Sequence, residues 1–239
     1  MTGTLVNAAA IVVFGLAALI FKRQLSARTQ EWLRLALGAA TVWIGLLLVW
    51  RSVNGSALQV LKQLGLLLVA LILGRLLGRL LRLQKLSNRL GRAASARLAA
   101  AEEQPAPLGE GLLTCTILFC AAPLGWVGPV VDGLSGFFLP LLVKALMDGL
   151  AAMAFAPAFR WAVVLSALPV LAWQGTLALL AKSVLPWLAA QHLVDPITAT
   201  AGLLISFVSL IIFRAVRVET ADYLPALVLA PGLFWLLGR

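Results

Sequence analysis

Charge is scarce in this sequence. Asp, Glu, Lys and Arg make up 12% of the 239 residues, against roughly 25% in an ordinary soluble domain. Hydrophobic residues make up 62%, and the mean hydropathy is +1.01. A soluble fold of this length cannot hide that much apolar surface. A bilayer can take it, because each crossing helix needs about 20 apolar residues. Histidine is nearly absent: His192 stands alone, which excludes a histidine-built metal site or catalytic triad. Cys115 and Cys120 are the only cysteines. Five residues apart in one apolar stretch, they face different sides of a helix, so neither a disulfide nor a metal pair is expected. There is no glycine-rich phosphate loop closed by Lys and no serine in a nucleophile elbow. Asp132 and Asp148 lack the setting of an intramembrane protease pair. No catalytic residue, cofactor or metal is expected.

Basic residues outnumber acidic ones, 19 to 9, for a net charge of +10. In a soluble protein that excess would point to nucleic acid. Here the basic residues lie between apolar spans, where they set membrane orientation and meet anionic lipid. The 20 glycines and 11 prolines are tolerated in membrane helices.

The pattern predicts an all-α polytopic membrane protein, a single integral membrane domain over residues 1–239. Eight spans are placed at about 3–21, 35–50, 58–81, 111–131, 135–157, 161–185, 197–213 and 223–237. The first is read as a retained span, since Lys22 and Arg23 follow its apolar stretch instead of preceding it. The one long polar segment, 82–108, ends in Glu102-Glu103-Gln104-Pro105-Ala106-Pro107, a plausible flexible link.

Basic residues concentrate after odd-numbered spans: Lys22, Arg23, Arg28 and Arg34; then Arg75 through Arg97; then Arg160; then Arg214 and Arg217. The loops after even spans carry fewer. The positive-inside rule then puts both termini outside the cytoplasm. Span three reads as continuing beyond the membrane as a basic amphipathic helix. Arg75, Arg82 and Arg89 repeat every seven residues, and Leu76, Leu80, Leu83 and Leu90 share another face. Arg82, Lys85, Arg89 and Arg92 are therefore candidate contacts for anionic headgroups, although a pure topology signal has the same pattern.

Gly3-Thr4-Leu5 and Gly175-Thr176-Leu177 open similar runs of apolar, small-residue spans. Matching spans one to three with six to eight gives an odd offset, hence an inverted repeat of the sort found in secondary transporters. Chance recurrence is the plainer account. Small-residue faces at Gly38 to Gly45 and Gly74 to Gly78 offer surfaces for a homo-oligomer.

A charge at the centre of a membrane helix costs roughly 2.5–3.5 kcal/mol by insertion scales. Span five holds two, Lys144 and Asp148, four residues apart and so stacked on one face. They form either an ion pair that only fixes packing, or an ion, substrate or proton site. Gln174 in span six and Asn7 in span one are uncharged polar neighbours. Around span four, Pro123, Gly128 and Pro129 predict a broken helix, and Asp132 is placed to cap span five or to sit at a cavity mouth.

Five motifs together are specific: Gly3-Thr4-Leu5-Val6-Asn7, Val127-Gly128 through Asp132-Gly133-Leu134-Ser135-Gly136, Lys144 through Asp148-Gly149, Ser166-Ala167-Leu168-Pro169-Val170 through Gln174-Gly175, and Leu224-Pro225-Ala226-Leu227. The chain resembles, over essentially its whole length, the bacterial membrane-protein family of domain of unknown function 554. The resemblance implies a bacterial inner-membrane protein of transport type, without a substrate. Two positions depart from the family's pattern, Ile211 and Asp222, where Asn is usual; any site that uses those Asn residues is altered here.

The expected function is a transporter or channel for an ion or small polar solute. Lys144, Asp148, Gln174, Asn7 and Asp132 would form its polar pathway. A non-transporting scaffold or regulator is the alternative.

Overall fold

A computed structural model of the chain describes residues 1–21, 26–103, 106–215 and 218–237. Lys22, Arg23, Gln104, Pro105 and Arg217 lie outside the described residues, as do the side chains of Glu102 and Glu103. The order is α1 (Thr2–Phe21), α2 (Ala27–Ser52), α3 (Ala57–Leu80), α4 (Leu83–Glu103), α5 (Leu108–Ala121), α6 (Leu124–Ser135), α7 (Leu139–Phe159), α8 (Trp161–Leu165), α9 (Ala167–Ala190), α10 (Val194–Ile212), a 3₁₀ turn (Thr220–Tyr223) and α11 (Ala226–Leu237). Among the described residues seven helical segments are long and apolar enough to cross a membrane, and α5 with α6, bent by 61°, brings the number to eight if the pair is one span. The chain is an all-α polytopic membrane protein.

Two elements differ from the sequence reading. Span three does not run on as one helix. It stops at Leu80, and Arg82 adopts a left-handed φ of +57° before α4 begins. Left-handed residues end helices, usually as glycine. Here Arg82, His192 and Arg214 have φ of +56° to +57°, and Arg160 ends α7 with φ +48° and ψ −125°. After α9 and α10 the closure is a Schellman pair: Leu193 N–H to Leu188 O with His192 N–H to Ala189 O, and Ala215 N–H to Leu210 O with Arg214 N–H to Ile211 O. A cation at a helix C-terminus also suits the dipole.

Span four is broken, as its prolines and glycines predict, but at one point only. Ala122 is extended (φ −62°, ψ 138°) because the ring of Pro123 disfavours helical geometry in the residue before it. The break falls there. Gly128 and Pro129 lie inside continuous α6.

The packing divides into two compact units, Met1–Leu33 with Ser87–Leu179, and Arg34–Leu86 with Leu180–Arg239. Spans one, four, five and most of six fall in the first; spans two, three, seven and eight fall in the second.

In the first unit α1 lies along α7. A Cβ at Gly3 would stand 2.6 Å from Leu141 Cβ, and one at Gly149 would stand 2.8 Å from the Phe14 ring. This close approach is what brings polar side chains of the two helices within reach of each other. Ile11, Cys115, Phe119, Ala152, Phe159, Val163 and Val170 form the apolar core. Helix α4 buries Ala94 and Ala101 and leaves Arg89, Arg92 and Arg97 exposed, so its apolar face covers protein, not headgroups.

In the second unit the small-residue faces are already used. A Cβ at Gly38 would meet Phe213 at 2.5 Å, one at Gly202 would meet Gly45 O at 2.6 Å, and one at Gly74 would meet Ala226 Cβ at 2.7 Å. Gly78 lies against the Asp222 carbonyl. The faces expected to serve a homo-oligomer are thus buried within the chain, because helix pairs of one unit need the same close approach.

Asp222 anchors the start of α4. Its carboxylate accepts from Gln84 N–H at 2.8 Å, and the Gln84 side-chain carbonyl accepts from Ala221 N–H at 3.0 Å. Glu219 pairs with Arg75 and Arg79 at 3.5 and 3.3 Å. The Asp222 oxygen acts here only as an acceptor, which an Asn can match. Asp222→Asn is expected to shift stability by a few tenths of a kcal/mol, and Asp222→Ala to cost about 1 kcal/mol, read by thermal unfolding in detergent.

Candidate functional site

The first unit gathers four polar side chains from three helices. Lys144 and Asp148 lie on the buried face of α7, with Leu141, Ala145 and Ala152. Asn7 lies on the buried face of α1, with Thr4, Ala8 and Ile11. Gln174 lies on α9, in line with the buried Val170 and Ala178. Each position follows helical spacing of three or four residues, so sequence periodicity alone turns all four inward.

Lys144 Nζ donates to Asp148 Oδ2 at 2.5 Å and to Phe119 O at 2.8 Å. Asn7 Nδ2 donates to Asp148 Oδ2 at 3.1 Å and to Gln174 Oε1 at 3.1 Å. The carboxylate can only accept. That fixes the Asn7 amide with its nitrogen toward Asp148, and Gln174 with its oxygen toward Asn7. Two atoms are left over: Asn7 Oδ1 and Gln174 Nε2 are buried without a partner. Each such group costs about 1–3 kcal/mol. It is also closed: Lys144 is 1% exposed, Asp148 7%, and Asn7 and Gln174 0%.

The broken helix supplies the second partner of Lys144. In a continuous helix the Phe119 carbonyl would accept from the N–H four residues on. That residue is Pro123, which has no N–H. The freed carbonyl, at the negative end of α5, takes the ammonium instead. Gly125 makes room, since a Cβ there would lie 3.2 Å from Phe119 O and 3.3 Å from Lys144 Cε. Phe119 and Gly125 were not singled out from the sequence. The signal for Phe119 was present, as the residue four before a proline within an apolar span. Pro123→Ala restores a competing N–H. It is expected to weaken the Lys144–Phe119 bond and lower any transport rate by about tenfold, a hydrogen bond to a charged group being worth about 1.5–3 kcal/mol.

Asp132 is not part of this cluster and does not cap α7, whose first turn is preceded by Phe138. It lies inside α6, 3% exposed, and its carboxylate accepts from Gly3 N–H at 3.1 Å, with the Met1 amino group also at 3.1 Å. It caps α1, because the close α1–α7 packing brings the α1 start beside α6. It thereby holds the helix that carries Asn7, one turn further on.

A groove of about 520 Å³ opens at the helix break, lined by Cys120, Trp126, Pro169, Trp173 and Thr176 among others. Trp126 and Trp173 meet edge-on at 4.6 Å. Cys120 and Trp173 are the chain neighbours of Phe119 and Gln174, so the groove wall is one residue from the cluster at two points. The buried Thr116 Oγ1 and Trp173 Nε1 have no hydrogen-bond partner. In the second unit a smaller hollow of about 200 Å³ is lined by Ser52, Asn54, Gln63, His192 and Asp195, among others.

Up to eight apolar crossings among the described residues, and a buried ion pair against a helix break, define a polytopic helical membrane protein. The chain belongs to the family described as "Protein of unknown function (DUF554)", which matches residues 2–235. It is 29% identical over 237 residues to "Uncharacterized membrane protein YdfK" of Bacillus subtilis (strain 168), covering 99% of this chain and 97% of that one. It is 29% identical over 233 residues to "Uncharacterized protein YqgA" of Escherichia coli (strain K12), covering 97% and 95%. No solved structure matches.

Proposed function

We propose that this protein is a transporter or channel for an ion or small polar solute, not an enzyme. The Lys144–Asp148–Asn7–Gln174 cluster is its closed central site. The observation that carries this reading is the pair of unpartnered buried atoms, Asn7 Oδ1 and Gln174 Nε2, next to an ion pair on a broken helix. Evolution can replace a buried ion pair by apolar residues at little cost in stability. A buried pair beside orphaned polar groups and a helix break is better accounted for by a ligand. Broken helices in transporters present free backbone ends to their cargo, and Phe119 O is such an end. The matched spans one and six fall in one unit and two, three, seven and eight in the other, an arrangement compatible with an inverted repeat.

The protein belongs, on this reading, in the bacterial inner membrane with both termini outside the cytoplasm. Arg82, Arg160 and Arg214 all end helices on the side the positive-inside rule makes cytoplasmic. The exposed Arg82, Lys85, Arg89 and Arg92 then face anionic headgroups.

The test is ligand-dependent stabilisation. Purified protein is heated in detergent against a panel of ions and small polar solutes. A bound solute at 100 times its Kd raises stability by about 2.7 kcal/mol, and Asp148→Asn removes that rise. The burial of the pair favours one competing reading, a non-transporting scaffold that signals through the basic face of α4. In that case no solute stabilises the protein, and neutralising Lys85, Arg89 and Arg92 abolishes function.

A further inference from the structure

A closed site limits what it can hold. A metal ion or an organic solute needs a cavity of its own size, and the four polar side chains here are packed in direct contact, with Asp148 the most exposed at 7%. A proton needs no cavity. We infer that the ion this site handles is the proton, and that Asp148 is the group that binds it. The inference rests on the transport reading and names its coupling ion.

The hydrogen-bond pattern supports it. As the network stands, Asp148 is an acceptor, and Asn7 Nδ2 and Gln174 Oε1 are engaged while Asn7 Oδ1 and Gln174 Nε2 are idle. A protonated carboxyl is a donor. It requires an acceptor beside it, and the atom that can supply one is Asn7 Oδ1. If both amides turn over, Asp148 O–H donates to Asn7 Oδ1, and Gln174 Nε2 donates to the same oxygen. The two idle atoms become the engaged ones. The network therefore has two hydrogen-bonded arrangements, one for each protonation state of Asp148, with the same number of idle atoms in each.

The step is simple in its balance. One proton from water binds a carboxylate oxygen of Asp148, and Lys144 remains an ammonium. Its bond to Asp148 loses the opposite charge, and Phe119 O remains as its partner. The pair passes from net zero to net +1. A buried unpaired cation is costly in hydrocarbon, so proton binding disfavours the closed arrangement and favours one in which Lys144 reaches water or an anion. The break at Ala122–Pro123 is the element placed to move, since α5 carries the carbonyl that holds Lys144. The groups facing Asp148 are Lys144 on α7, the Cys120 thiol on α5, and the amides of Asn7 and Gln174. Asp132 on α6 is engaged one turn away at Gly3. The groove wall at Cys120 and Trp173 is an opening through which the proton would arrive.

Two measurements on reconstituted protein test this. In infrared difference spectra across a pH titration, the wild type should show a carboxylic-acid carbonyl band that grows as pH falls. The band should vanish in Asp148→Asn and persist, shifted, in Asp148→Glu. In vesicles loaded with a pH dye and held at an imposed potential, the wild type should acidify the lumen and Asp148→Asn should match empty vesicles. Size-exclusion and thermal unfolding establish that each variant is folded. A folded wild type with no such band over the whole range, or an Asp148→Asn variant that still carries protons, overturns the assignment. Solute flux without any pH change overturns the proton but leaves the transport reading standing. Neither flux nor band overturns both.

Discussion

Lys144→Met is expected to lower stability by about 3–5 kcal/mol, because removing one partner of a buried ion pair strands the other charge. Asp148 would keep only the Asn7 amide. The double variant Lys144→Met/Asp148→Leu is expected to recover most of that loss, since two apolar residues of similar volume restore a dry interior. A double-mutant cycle read by thermal or denaturant unfolding checks both arms. The diagnostic result is the combination: a stable double variant with no transport. It would separate what the pair does for folding, which is replaceable, from what it does for function, which is not. A double variant whose loss equals the sum of the two single losses would mean that Asp148 and Lys144 act on stability independently.

The second large effect is on the other unit. Gly78→Ala sets a Cβ against the backbone carbonyl of Asp222, closer than atoms can approach. Backbone cannot turn aside as a side chain can. The α3 contact with the 3₁₀ turn must open, and overpacking of this sort costs about 1–3 kcal/mol or more. The same change at Gly65, also in α3, meets nothing within 4 Å. Gly65→Ala should instead gain about 0.5–1 kcal/mol, the usual difference between the two residues in a helix interior. The two variants differ only in position along one helix, so their opposite signs in an unfolding assay report packing directly.

The crossings were legible in the sequence because hydropathy and helix length are local properties. The Lys144–Asp148 pair was legible for the same reason: a spacing of four residues fixes their relation whatever else the chain does. The inward turn of Asn7 and Gln174 followed from composition, since an amide in an apolar span needs a partner. What could not be read was which partner. Asp132 had a plausible local role ahead of Gly133, and a contact 129 residues away at Gly3 took it instead. The stop at Arg82 was also hidden, because a left-handed arginine carries no compositional mark of the kind glycine does. The faces at Gly38 to Gly45 and Gly74 to Gly78, read from the sequence as surfaces for a homo-oligomer, pack against helices of the same chain. Whether the approaching helix belongs to the same chain is a question of topology, which spacing does not encode.

The measurement that bears most directly on the account is flux through reconstituted protein. Vesicles holding wild type, Asp148→Asn and Pro123→Ala are compared across a panel of ions and small polar solutes, with proton movement recorded alongside. The account predicts flux for at least one member of the panel in the wild type, lost in Asp148→Asn and reduced about tenfold in Pro123→Ala. Silence across the panel from protein shown to be folded, or flux indifferent to Asp148, would contradict it and leave the Lys144–Asp148 pair as a structural device alone.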